Sequence, residues 1–335
     1  MEHITRISRT GVLLAIGLAF IGCGTDSDNA DTGTLSGDFP FANLQHWQRH
    51  GEPVLRDPEP GGGYEVAADP HPFRTQTGSL RMVYSGPHPD NDYATIKLAT
   101  ANDPTQWSVG PVLLSGTNAG GLDLNKETAF YRLATSGKHQ IYYIGYEDGA
   151  VYHSQIFMAE ADTLEGPYRL PTAPIVPTSV QDGFEVKTIT SPSIVEHDGQ
   201  LYMAYCAWDG FPDPTAVQVH GAISNDDGQT WNRIGEVNAP VCMEGAFSKG
   251  PDGKFYAVAQ AEGGLTLGRS DVPFPDAGYE MLAQPVMTPA GAPWEVDELN
   301  TPQIFFEGST AYLYYSGADF SKGWWIMLAT TDLEE

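Results

Sequence analysis

What most constrains this chain is a short pattern that returns five times. FEVKTITSPSIVEHDGQLYMAYC (Phe184 to Cys206) and WEVDELNTPQIFFEGSTAYLYYSG (Trp294 to Gly317) share one order of residues. Each reads aromatic, Glu, Val, then Ser or Thr before Pro, an apolar stretch, a turn, and a second apolar stretch with tyrosines near its end. The same position recurs in YEVAADPHPF (Tyr64 to Phe73), NKETAFYRL (Asn125 to Leu133) and VCMEGAFS (Val241 to Ser248). Aligned there, the five segments hold Asp69, Glu127, Ser191, Glu244 and Thr301, at intervals of 58, 64, 53 and 57 residues. A period of that size marks one supersecondary unit repeated, and such units bury their apolar faces only by stacking on one another.

The text between the repeats says what the unit is. Each has a second apolar run rich in tyrosine (LRMVYSG, QIYYIGY, LYMAYCAW, KFYAVAQ, AYLYYSG) and a third that ends in a polar turn (IKLATANDP, QIFMAEADT, HGAISNDDG, LTLGRSDVP, IMLATTDLE). A fourth begins with an aromatic, over 107–113, 168–176, 231–237 and 279–286. With 37 Gly and 25 Pro supplying turns, and no sustained 3.6-residue period, the chain reads as all-β. Four antiparallel strands per repeat describe a propeller blade. The last repeat stops after its third strand, and the matching fourth-strand text stands near the other end, as HWQRHGEPVL (His46 to Leu55). That strand is expected to complete the last blade, closing a five-bladed β-propeller over residues 44–335 without an open edge.

The N-terminus has a different character. Arg6 and Arg9 precede an apolar run, Gly11 to Gly22, too short to span a bilayer and followed by Cys23. Residues 1–22 read as a secretory signal, and Phe20-Ile21-Gly22-Cys23 resembles a bacterial lipobox with Phe where Leu is usual. Cys23 is the expected lipidation site and residues 23–43 a flexible tether. The protein is thus expected to be exported and held in the cell envelope, at the outer membrane or cell surface, touching the membrane only through its lipid. A net charge of -26 repels nucleic acid, and a monomer is expected. Cys206 and Cys242 read equally as an exported disulfide or as two buried thiols.

In a propeller the first strand of every blade lines the central channel, so side chains far apart in sequence converge. Asp69, Glu127 and Glu244 are expected to face one another across a funnel, where mutual repulsion raises at least one pKa and yields a general acid and a general base. The segment AADPHPF around Asp69 resembles the first-blade motif of glycoside hydrolase family 43 and its relatives in families 32, 62, 68 and 117. MEGAF around Glu244 resembles the fourth-blade motif of family 43, and LEGPYR (Leu164 to Arg169) resembles a turn common in that group. The resemblance implies that Asp69 is general base or nucleophile and Glu244 the general acid. It covers the whole ring as architecture, but each catalytic motif is only a few residues.

The departures are specific. Ser191 stands where family 43 has a third-blade Asp that tunes the acid, and Glu127 is the expected replacement, with Glu185 and Asp182 as weaker alternatives. Ala246 replaces the usual Pro; no cofactor is expected, and a central calcium, as in some members of the group, stays open but is not indicated, since no fifth-blade His of the kind that binds it is found. SNDDGQTW (Ser224 to Trp231) fits the Asp box, a local turn device also found in sialidases. The arginine cluster that sialidases need is missing from the five positions, and the box reads as structural. His71, Lys126, Ser191 and Thr301 are candidate substrate contacts beside the acids, and Trp208, Asp209 and Trp294 a candidate sugar-stacking rim. The implied activity is hydrolysis of plant or algal poly- or oligosaccharide, arabinose- or xylose-type linkages favoured, with inversion. The alternative is a carbohydrate-binding or surface-interaction propeller that has lost the chemistry, for which Ser191 is the motive.

Overall fold

The computed structural model describes residues 39–59, 62–90, 93–147, 153–181, 183–210, 216–240, 244–261, 263–283, 285–291 and 293–334. The signal peptide, Cys23, most of the tether, Asp182 and Cys242 lie outside them. Five antiparallel sheets follow one another along the chain. Blade 1 comprises Ala68–Arg74, Leu80–Pro87, Ala94–Asp103 and Gln106–Leu114. Blade 2 comprises Asn125–Leu133, His139–Tyr146 and Gln155–Ala161. Blade 3 is Thr188–His197, Gln200–Trp208, Val217–Ser224 and Asn232–Glu236, and blade 4 is Gly245–Lys249, Phe255–Ala261, Gly264–Ser270 and Glu280–Met281. Blade 5 takes Glu298–Glu307, Thr310–Asp319 and Gly323–Asp332, with Gln48–Arg49 at its outer edge.

The ring closes as the repeat predicts. Gln48 and Arg49 pair antiparallel with Thr330 and Ala329, and Leu55 bridges to Ile326 further along the same strand. Glu65–Val66 adds a short parallel contact to Gly323–Trp324. That contact needs Gly323, since a Cβ there would stand 2.2 Å from the Glu65 carbonyl oxygen. The packed chain starts earlier than expected, because Phe39 and Phe41 are buried and Phe39 stacks on Tyr256 at 5.7 Å. Blade 2 also departs from expectation. Its fourth strand is reduced to single bridges at Arg169 and Val176, because Pro167, Pro171, Pro174 and Pro177 remove ladder donors from that stretch.

Five apolar clusters fill the five junctions between neighbouring blades. Val83, Leu98, Tyr143 and Phe157 join blades 1 and 2, and Tyr142, Ile156, Ile194 and Met203 join blades 2 and 3. Cys206, Val219, Phe247 and Phe255 join 3 to 4; Val258, Leu267, Leu313 and Trp325 join 4 to 5; Met82, Tyr84, Tyr314 and Leu328 join 5 to 1. Middle strands are therefore buried on both faces, which is why they read as near-continuous apolar runs. Each buried Leu or Phe contributes about 1.5–3 kcal/mol of transfer free energy. Cys206 is disulfide-bonded.

The tyrosines that mark the second strand of each repeat have a shared use. Tyr84 Oη donates to Asp57 (2.8 Å), Tyr143 Oη to Asp123 (2.8 Å) and Tyr315 Oη to Glu295 (2.6 Å). Each acceptor also meets a cation: Lys97, Lys126 and Arg49 respectively. In blades 1, 2 and 5 this trio pins the incoming loop to the second strand and satisfies charges that burial would otherwise penalise. The Asp box performs the same service between blades 2 and 3. Ser224 and Asp226 hold the turn, Gly228 adopts φ +82°, Trp231 packs edge-on against Tyr142, and Asp227 receives the Arg132 guanidinium from blade 2.

Candidate active site

The inner strands carry a local distortion that aims side chains at the axis. In four blades the pairing slips by a residue, between Ala68 and His71, Glu127 and Phe130, Thr190 and Ser193, and Asn300 and Gln303. At each slip one non-glycine residue is left-handed: Asp69 (φ 56°), Thr128 (47°), Ser191 (49°) and Thr301 (43°). A bulge is where a strand tolerates Pro, and Pro70, Pro192 and Pro302 follow three of these four residues. Left-handed backbone costs on the order of 1–2 kcal/mol at such residues, and the surrounding sheets hold it. This geometry corrects one alignment: the blade 2 equivalent of Asp69, Ser191 and Thr301 is Thr128, and Glu127 sits one residue ahead of the bulge.

Four half-buried carboxyls gather at this end of the channel. Asp69 accepts a hydrogen bond from Ser85 Oγ and one from Thr128 N (3.2 Å), and its own N–H donates to Ser316 Oγ (3.0 Å). Glu244 accepts from Ser191 Oγ, so the serine in place of the expected third-blade acid is a direct partner of the fourth-blade one. Glu127 accepts from Tyr146 Oη at 2.9 Å. The fourth, Glu298, begins the blade 5 inner strand and accepts from Gln260 Nε2 (3.3 Å) and Asn300 Nδ2 (3.4 Å). It stands in the WEVDELNTP segment, three positions before Thr301, and comparing only one position per repeat passes over it.

Crowding separates the proton affinities of these groups. Burial, and then the charge of Glu127, lift Asp69 to about 6 against the hydrogen bonds from Ser85, Thr128 and Thr301. Burial, then repulsion from Asp69, holds Glu244 well above the carboxylate range, with Glu127 and Glu298 adding to it and Ser191 opposing. Burial pushes Glu298 up to about 8. Asp69, at about 6, is mainly an anion at neutral pH, while burial and the neighbouring carboxylates bias Glu244 toward its protonated form, the direction in which acid–base catalysis divides two such groups.

Inner-strand residues of all five blades, among them His71, Phe130, Pro192, Ala246 and Gln303, leave a cavity of about 30 Å³. That holds roughly one or two waters, and Asp69 is part of its lining. His71 is buried in this wall at 3.2 Å from the Tyr131 carbonyl oxygen, and burial lowers it to about 4, which keeps it neutral. Ser191 and Thr301 also line the cavity, Thr301 Oγ1 lying 2.6 Å from Ser316 Oγ.

The remaining candidates stand elsewhere. Lys126 is fully buried, its Nζ held by the Gly116 carbonyl oxygen and by Asp123, and belongs to the blade 2 trio. Trp208 is 4% exposed within the core between blades 3 and 4. Asp209 ties off its hairpin by accepting from Ala216 N at 3.0 Å. Trp294 packs edge-on against Trp325 (4.9 Å) with the Arg56 guanidinium 5.0 Å from its ring centre. Glu185 is exposed and paired with Lys187 at 3.4 Å. The two indoles look like rim platforms in the sequence because aromatics at strand ends serve core and rim alike.

No protein-family model matches the sequence, and no curated protein matches it. Solved structures do match. A complex of BT0996 with RGII superposes with a TM-score of 0.68 at 15% identity, covering 86% of this protein and 93% of that one. The two share a fold. Zg3597, a family 117 glycoside hydrolase of the marine bacterium Zobellia galactanivorans, gives a TM-score of 0.61 at 17% identity over 87% and 92% of the two proteins. The α-L-arabinofuranosidase PaAbf62A of Podospora anserina, solved with cellotriose, gives 0.60 at 12% identity over 86% and 98%. The fold expected from the repeat is thus the five-bladed propeller of solved glycoside hydrolases.

Proposed function

We propose that this protein is a glycoside hydrolase. Glu244 protonates the leaving glycosidic oxygen, and ionised Asp69 activates a water for attack at the anomeric carbon. Glu127 holds up the proton affinity of Asp69 by its charge. One observation carries the reading: two buried carboxyls from different blades interact in one site, Asp69 held at about 6 and Glu244 raised by burial and by the charge of Asp69. The substrate class is plant or algal poly- or oligosaccharide, with arabinose- or xylose-type linkages favoured. It draws support from the activities named for the structures of the same fold, an arabinofuranosidase and a marine family 117 enzyme among them. The chain is exported through its N-terminal signal and anchored by lipid on Cys23. Hydrolysis proceeds with inversion, which NMR of the first-formed anomer reads directly.

The decisive experiment is a screen of arabinan, xylan and agar-type oligosaccharides for released reducing ends, run on the wild type and on Glu244→Gln. Turnover by the wild type, lost in a variant with unchanged circular dichroism and thermal midpoint, supports the assignment. Full activity in Glu244→Gln overturns it. Saturable binding without turnover in the wild type supports the binding propeller instead.

A further inference from the structure

The N-terminal segment joins the ring at the end of the channel opposite the carboxyls. Asp69, Glu127 and Glu298 stand within the first three residues of their inner strands, and Glu244 directly precedes the inner strand of blade 4. Residues 39–45 dock at the far ends of those strands. Phe39 lies 6.3 Å from Phe306, next to last in the blade 5 inner strand, and stacks on Tyr256, which begins the antiparallel return strand of blade 4. The Arg269 guanidinium covers Phe41 at 4.7 Å from the end of the blade 4 third strand. Asn43 Nδ2 donates to the carbonyl oxygen of Leu333 (3.0 Å), just past the blade 5 third strand. Phe39, Phe41 and Leu44 are buried there, so packing fixes the entry.

From that end the chain climbs the outer edge of blade 5. Gln48 is opposite Thr330, Leu55 opposite Ile326, and Glu65 beside Gly323. The Ala67 N–H then donates to the Trp324 carbonyl oxygen (3.0 Å), two residues ahead of Asp69. The ten residues of Gly323–Asp332 rise about 30 Å, which separates the entry at Phe39 from the carboxyl end.

On the reading that Cys23 carries a lipid, we infer that the end of the ring holding Phe39 is turned to the bilayer and the carboxyl end away from it. Fifteen residues stand between Cys23 and Phe39, and a chain of that length reaches at most about 55 Å. The ring can stand over its attachment point at any extension within that limit. Bringing the carboxyl end to the lipid makes the chain run back along the side of the ring, which takes about 30 Å of that reach before any is left to cross its width. A polysaccharide arriving from outside the cell therefore meets the acids first, and the envelope of the cell itself meets the opposite face.

The test is energy transfer from a dye on the full-length, lipidated protein to rhodamine-labelled phosphatidylethanolamine in phosphatidylethanolamine–phosphatidylglycerol vesicles. The dye is attached at Thr77→Cys or Asp90→Cys, with the unsubstituted protein as labelling blank. Both positions are exposed and lie on blade 1, Thr77 in the turn at the Phe39 end and Asp90 in the loop at the carboxyl end. The separation of roughly 30 Å along the strands is expected to make transfer from Thr77→Cys about twofold greater than from Asp90→Cys. Equal transfer from a vesicle-bound protein, or more from Asp90→Cys, overturns the orientation alone. A protein that stays off the vesicles, with an unmodified Cys23 by mass, overturns the lipid reading and the orientation together. Neither label touches the acids, so the result is independent of whether the protein turns over a glycan.

Discussion

The opposing influences on Asp69 allow its protonation to be moved in either direction by single substitutions. Asp69 stands at about 6, and after burial the charge of Glu127 is the strongest upward influence, while the Ser85 hydroxyl is the strongest downward one. Glu127→Gln keeps an acceptor for Tyr146 Oη and removes the charge, which lowers Asp69 by roughly 0.5–1 unit. Ser85→Ala removes a donor to the anion and raises Asp69 by a similar amount, roughly 0.5–1 unit. One unit corresponds to about 1.36 kcal/mol between the two protonation states. The assay is kcat/KM against pH, whose acidic limb reports the base of the free enzyme. At pH 5.5, Glu127→Gln is expected to be about two- to threefold faster than the wild type in kcat/KM, and Ser85→Ala about fourfold slower, with both converging on the wild type by pH 8. Shifts of the same sign, or no shift with Glu127→Gln, refute the electrostatic account and the role of Asp69 as base.

Other perturbations probe the frame. Arg49→Met leaves buried Glu295 without its cation and is expected to cost about 3 kcal/mol in denaturant unfolding. The double variant Arg49→Met/Glu295→Gln recovers most of that, and a double variant no more stable than the single would contradict the pairing. Gly228→Ala drives a Cβ to 2.0 Å from the buried Tyr142 Oη at φ +82°, and is expected to cost about 2 kcal/mol or more. Gly137→Ala, at φ +80° with open space around it, costs only the backbone strain, about 1 kcal/mol, and the difference in thermal midpoint between the two reads the clash. Since Asp69 and Glu298 have folded pKa values above their unfolded ones, their contribution to stability is fully present below about pH 4 and is lost as pH rises through about 6 and about 8. Glu298→Gln is therefore expected to unfold at a higher temperature than the wild type at pH 9 and at a similar one at pH 4.

The repeat made the ring and its closure legible, because each blade needs the same apolar runs and the missing fourth strand has only one place to come from. It placed Asp69 and Glu244 in one funnel for the same reason. It misaligned blade 2, where NKETAF has no Pro to mark the bulge, so that Thr128 rather than Glu127 takes the left-handed position. Glu298 escaped notice because it stands three positions before Thr301, outside the single position compared in each repeat. Lys126 and Trp208 look like ligands in a linear reading, yet one answers a buried Asp123 and the other fills a junction between blades. Whether an aromatic or a lysine turns inward depends on the packing of neighbouring strands and blades, and a single sequence does not encode those pairings locally.

Blade 5 is stitched from segments near both extremes of the described residues, and Ser316 on its second strand accepts the N–H of Asp69 on blade 1. Strands made well after Asp69 thus have to dock before that acid acquires its setting. A molecule with that seam unzipped keeps most of its sheets but leaves the Asp69 N–H without its Ser316 partner.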